Sequence, residues 1–86
     1  MQKTRRVAKQ AEELGRRVKT SRKALDLSQE DLADVAGLHR TYIGHLERGE
    51  VNPSLLNILK VSAALGIDAG ELVSGLAATI GDPKKF

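Results

Sequence analysis

Residues 28–48, SQEDLADVAGLHRTYIGHLER, constrain this chain more than any other stretch. Ser28, followed three positions on by Asp31, is the S-x-x-[DE] pattern of a capping box. In that box a hydroxyl and a carboxylate satisfy the open N–H groups at a helix start. Leu32, Ala33 and Ala36 then share one side of the first helix, and Ala33 is small enough for a crossing helix to come close. Gly37 supplies a sharp left-handed turn. At about 100° per residue the second helix separates into two faces. Ile43 and Leu46 point one way, with His39 and Tyr42 on that half, whereas Arg40, Thr41, Gly44, His45 and Arg48 point the other. Docking through Ile43 and Leu46 leaves two arginines, a threonine and a histidine outward. Glycine costs about 1 kcal/mol inside a helix, so Gly44 at the centre of that polar face predicts that another surface approaches closely there. The outer face reads as a recognition surface.

Eighty-six residues suit one domain with a single core. The absence of cysteine excludes disulfides and thiolate zinc sites. With one Tyr, one Phe and no Trp, the core must be Leu, Ile, Val and Ala, which favours packed helices over a sheet sandwich. No apolar run approaches the roughly 18–20 residues of a membrane span, and the start lacks the hydrophobic segment of a secretory signal. The expectation is a soluble, cytoplasmic protein with no membrane partner. Net charge is +3, unevenly spread: residues 1–23 hold nine basic and two acidic side chains, the remainder five and nine. That asymmetry predicts an anionic partner near the N-terminal part, although a solvated basic helix face has the same composition. His39, His45 and Glu47 do not make a metal site, because H-x5-H sets the imidazoles far apart around a helix. There is no HExxH, GxSxG or phosphate-loop motif. No metal, cofactor or catalysis is expected.

Along the chain, residues 1–10 read as a flexible basic extension, and 11–80 as the folded domain. A first helix spans Ala11 to Leu25, with Leu14 and Val18 on one face and Ser21, Arg22 and Leu25 continuing it. Gly15 is a weak point in that helix. Asp26 ends it, and Leu27 anchors the connection. After the central stretch, Asn52 and Pro53 form an N-cap and N1 pair for a fourth helix whose buried side is Leu55, Ile58, Leu59, Ser62 and Leu65. Gly66 stops it. Asp68 caps a fifth helix from Ala69 to Thr79, which Gly70 and Gly75 make dependent on tertiary or intersubunit support. Residues 81–86 read as a flexible tail.

The segment SQEDLADVAGLHRTYIGHLERGEVNPSLLNILKVSAALGI resembles the Cro/repressor-like helix-turn-helix family. Ser28-Gln29, Leu32-Ala33, Gly37, Ile43, Leu46-Glu47-Arg48-Gly49, Pro53-Ser54 and Leu65-Gly66 all fall in register, over about residues 13–72. The string GLHRTYIGHLERG is most similar to controller proteins of restriction–modification systems. The resemblance implies an all-α, five-helix lambda-repressor-like domain with the helix-turn-helix at helices 2 and 3, and helix 3 in the DNA major groove. It assigns Arg40, Thr41 and His45 to base edges, and Gln29, Arg48 and Asn52 to phosphates. Arg22 and Glu47 match an ion pair joining helix 1 to helix 3. Two departures stand out: Asp26 where glycine is common, and Ser21 where an apolar residue is usual.

Chemistry supports these assignments independently. Arginine can bond guanine O6 and N7 as a fork, and threonine can use its hydroxyl or pack its methyl against thymine. Tyr42, at the flank, can cover the core and reach a phosphate with its hydroxyl. The combined expectation is a homodimeric, sequence-specific regulator of transcription on a palindromic operator in double-stranded DNA, with Val73, Leu76 and Ile80 at the dimer interface. Leu72 fits the monomer core better. The alternatives are an antitoxin that binds a toxin protein and regulates its own operon, or a protein-bridging module that has lost DNA reading. A toxin or RNA polymerase would then be a further partner.

Overall fold

The computed structural model describes residues 8–85, and within them the chain forms five α-helices. These are α1 (Ala8–Ala24), α2 (Gln29–Ala36), α3 (Arg40–Glu47), α4 (Leu55–Leu65) and α5 (Ala69–Val73), followed by 3-10 turns at Leu76–Thr79 and Pro83–Lys85. There is no strand among the described residues. Among the described residues no single helix is long and apolar enough to cross a membrane.

The central stretch folds as its local chemistry dictates. Ser28 Oγ accepts the Asp31 N–H and Asp31 Oδ2 accepts the Ser28 N–H, both at 2.9 Å. Those bonds, the backbone N–H of Ser28 first, hold the Asp31 carboxyl below its ordinary range. Gly37 closes α2 in the left-handed region at φ 70°. Leu32, Ala33, Ile43 and Leu46 then meet Leu14, Val18, Val51, Val61, Leu65 and Leu72 in one core.

α1 begins at Ala8, so residues 8–10 are helical rather than part of an extension; the remainder of that basic segment lies outside the described residues. Its exit runs through Asp26 at φ 57°, a conformation that Asp tolerates better than most side chains. The Leu27 N–H returns to the Arg22 carbonyl at 3.2 Å. Because the chain turns here, Leu25 is 50% exposed and not on the buried face.

At Gly15 two helices approach closely. A Cβ there would stand 2.4 Å from the Leu46 carbonyl oxygen and 2.6 Å from that of Glu47. Just beyond, Gly49 at φ 73° would place a Cβ 2.7 Å from the Glu12 Cα. α1 thus lies backbone to backbone on the end of α3, a contact that only missing side chains permit.

α4 starts later than the Asn52–Pro53 pair suggests. Ser54 is the N-cap, its Oγ accepting the Asn57 N–H at 3.1 Å, and Pro53 keeps Asn52 out of the helix. The register that buries Val61, Ser62 and Leu65 turns Leu55, Leu56 and Leu59 outward, at 71%, 60% and 45% exposure. Leu55 and Leu59 therefore do not belong to the core, and Val61 does.

The expected fifth helix is broken. α5 stops at Val73, Ser74 is extended, and Gly75 takes φ 78° before the chain resumes as the Leu76–Thr79 turn. The cause lies on α1: Arg17 Nη1 donates to the carbonyls of Leu72 (3.0 Å) and Ser74 (2.7 Å). A cation at a helix C-terminus is favourable, and here it takes carbonyls that a continuing helix would have bonded itself. Leu72 is buried and closes the core. At the end of the chain, Pro83–Lys85 form an exposed 3-10 turn, and Phe86 lies outside the described residues.

Gly15→Ala should destabilise the domain although alanine is the better helix former. Overpacking against backbone costs about 1–3 kcal/mol or more, against about 1 kcal/mol gained in propensity. Urea unfolding should show a net loss, and a gain would refute the close approach.

Candidate nucleic-acid interface

Ile43 and Leu46 are 0% and 3% exposed, which decides the direction in which α3 faces. Arg40 and Thr41 stand exposed on its opposite side and make no side-chain hydrogen bond among the described residues.

The orientation of α3 is locked by a buried ion pair. Arg22 Nε donates to Glu47 Oε2 at 2.6 Å and Nη2 to Oε1 at 2.9 Å, with the two side chains 9% and 2% exposed. The remaining arginine nitrogen, Nη1, donates to the Leu27 carbonyl at 2.7 Å. Bonding to Glu47 raises the Arg22 pKa above its already high value. Gln29 Nε2 donates to Glu47 Oε1 at 3.1 Å, so the first residue of α2 is tied to the same carboxylate. Its second amide hydrogen has no protein partner among the described residues.

Gly44 does not open the face to an incoming surface in the way its position suggests. It is buried, and an added Cβ would lie 3.3 Å from Arg48 Nη1 and 3.8 Å from Gln29 Oε1. The surface that comes close is the protein's own Arg48, which folds across the glycine. Arg48 Nε also donates to Glu50 Oε1 at 2.9 Å, and the same oxygen lies 2.8 Å from His45 Nδ1. His45 first, then Arg48, holds the Glu50 carboxyl below its ordinary range. Of the three side chains placed at base edges, Arg40 and Thr41 are unengaged, while His45 is committed through Nδ1.

Tyr42 is half-buried against the core, and its hydroxyl is buried without a partner, so it is not presented to a phosphate. His39, expected on the packed half, is instead the exposed N-cap residue of α3 and makes no side-chain cap bond. Asn52 is exposed ahead of α4, at the rim of an apolar groove.

Residues 18–72 match a family described as helix-turn-helix. The chain belongs to the helix-turn-helix family of DNA-binding regulators. It is 46% identical to the control protein C.MunI of Mycoplasma sp over 63 residues, which is 72% of this chain and 85% of that protein. The crystal structure of the restriction-modification controller protein C.AhdI from Aeromonas hydrophila superposes with a TM-score of 0.73 at 47% identity, over 74% of this chain and 97% of that one. The P22 c2 repressor, solved in complex with a synthetic operator, superposes at 0.68 with 32% identity, over 72% of this chain and 94% of its own. These relatives are transcription regulators rather than enzymes.

Within this helix-turn-helix, two participants escaped the sequence reading. Arg17 was one basic residue among many, and nothing local shows that it reaches α5. Glu50 had a legible signal: a left-handed glycine after a helix returns the next residue onto the last turn. The Glu50 N–H does bond the His45 carbonyl, at 2.9 Å.

Glu47→Ala should cost about 3–5 kcal/mol, because it strands the buried Arg22 charge. Replacing both partners with apolar residues of similar volume should recover most of that loss. Denaturant midpoints of the single and double variants check this, and equal damage in both would contradict it.

Proposed function

We propose that this chain binds DNA as a homodimer at an imperfect palindrome, with α3 of each subunit in successive major grooves about 34 Å apart. The observation that carries this reading is the contrast on α3: Arg40 and Thr41 are exposed and unengaged on a helix whose orientation is locked by Arg22 and Glu47. Rigid presentation of free donors is what base reading needs, each good bidentate contact giving about 1–3 kcal/mol of discrimination. His45 adds a third contact through its open Nε2. Gln29, Arg48 and Asn52, with backbone N–H groups at the start of α2, supply phosphate contacts that set register rather than sequence preference. Tyr42 serves the core in this reading.

The dimer forms on the apolar side away from α3. Leu55, Leu56 and Leu59 of α4 and Val73 are all at least 40% exposed. Val73 also lines a groove of about 380 Å³ with Leu14, Ile58, Leu76 and Ile80. Exposed apolar surface of this kind marks an association site. The interface accordingly includes the α4 leucines in addition to Val73, Leu76 and Ile80. Similarity to controller proteins supports a role in regulating the genes of a restriction–modification system, with occupancy set by protein abundance through dimerisation. Direct contact with RNA polymerase would make the same complex an activator. An antitoxin would use the apolar side for a toxin protein instead of a second copy.

Random-site selection with the purified protein should yield a two-fold symmetric site. Arg40→Ala and Thr41→Ala should each relax preference at defined positions of the half-site. Retention of the wild-type preference by both variants would remove them as readers. Sedimentation should give a dimer for the wild type and a folded monomer for Leu59→Arg. A dimer that survives this change moves the interface elsewhere, and a wild-type monomer that associates only with a second protein favours the antitoxin reading.

A further inference from the structure

Glu50 is an acid on the margin of a surface otherwise furnished with cations. Its place is determined by backbone chemistry. Gly49, at φ 73°, turns the chain back after α3, and the Glu50 N–H bonds the His45 carbonyl at 2.9 Å. The carboxylate is thereby returned over the last turn of α3, near the negative end of the helix dipole, where an acid is unfavourable without compensation. His45 Nδ1 at 2.8 Å and Arg48 Nε at 2.9 Å supply it, both on Oε1. Arg48 Nη2 also lies 3.4 Å from His45 Nδ1, whose hydrogen is engaged by Glu50. Arg48 meanwhile lies across Gly44, with Nη1 3.3 Å from where a Cβ would be. The guanidinium is thus held against its own helix, although its side chain remains 57% exposed.

We propose that Glu50 is an intramolecular competitor for DNA phosphate: in the free protein it holds Arg48 Nε, and phosphate competes with it for the guanidinium. The proposal rests on the DNA-binding reading above and adds to it a residue that lowers affinity. The physical argument is an exchange. A surface ion pair is weak and screened, so a phosphate can replace it, yet each exchange gives back part of what the phosphate contact gains. The cost falls equally on every sequence, because phosphate carries no sequence information. Glu50 therefore sets absolute affinity and leaves the preference among sites to Arg40 and Thr41. A regulator controlled by its own abundance needs affinity limited in this way, so that occupancy changes over the concentrations at which the dimer forms.

The test measures binding to a random-sequence duplex and to the selected site across a range of KCl concentrations, for wild type, Glu50→Gln, Arg48→Ala and the double variant. Glu50→Gln should bind both DNAs about two- to fivefold more tightly. The slope of log affinity against log salt should stay close to the wild-type value, because Arg48 neutralises the same phosphate in both proteins. Arg48→Ala should abolish the gain in the double variant. A gain that persists without Arg48 would reduce Glu50 to long-range repulsion and overturn the proposal. So would an unchanged affinity, or a changed site preference, which would make Glu50 a base reader. A wild type that binds neither DNA would instead overturn the DNA-binding reading, and is distinguished by that.

Discussion

The buried fork between Arg22 and Glu47 is the constraint on which the geometry of this domain depends. One guanidinium joins three parts of the chain: it bonds the Glu47 carboxylate at the end of α3, caps the Leu27 carbonyl in the turn to α2, and springs from the last turn of α1. The Leu27 N–H in turn bonds the Arg22 carbonyl, so both ends of one residue clasp the same turn. Burying such a pair gains little net stability, since desolvation offsets most of the attraction. Its value is directional. Apolar packing of Ile43 and Leu46 alone would tolerate some rotation of α3, whereas a bidentate pair supported by Gln29 does not. The backbone contact at Gly15 acts at the same end of α3, making the anchorage steric as well as electrostatic.

That anchorage leaves a face whose polar groups differ in readiness. Arg40 and Thr41 extend into solvent, while Gln29, His45 and Arg48 are drawn into bonds with Glu47 and Glu50. A helix-turn-helix therefore need not present its whole polar face at once. Groups that read bases must be preorganised and unencumbered. Groups that hold phosphates can exchange one anion for another, because a carboxylate and a phosphate oxygen are similar acceptors.

The apolar side is built by a comparable division. Arg17 ends α5 by taking the Leu72 and Ser74 carbonyls, which places Leu72 in the core and leaves Val73 outside. The turn that follows is tied back to α1 through Gln10 Nε2 and Thr79 Oγ1. Val73, Leu76 and Ile80 thus line one groove together with Leu14 of α1 and Ile58 of α4.

Features set within a few residues of the chain were legible in the amino-acid order. The Ser28–Asp31 capping box, the left-handed Gly37 and the inward turn of Ile43 and Leu46 need only local hydrogen bonding, glycine's freedom and helical period. The family resemblance, too, was carried by residues close in sequence. What the tertiary structure decided was everything that depends on which distant group arrives at a given spot. Gly15 looked like a flaw until the carbonyls of Leu46 and Glu47 came to lie against it. Gly44 marked a close approach, yet only the folded chain shows that Arg48 makes it. The α4 leucines satisfied a helical period on either of two adjoining faces, and the choice fell to the face that let Val61 and Leu65 reach the core. Periodicity states that a helix has an apolar side; packing against a partner determines how far it is turned and where it ends.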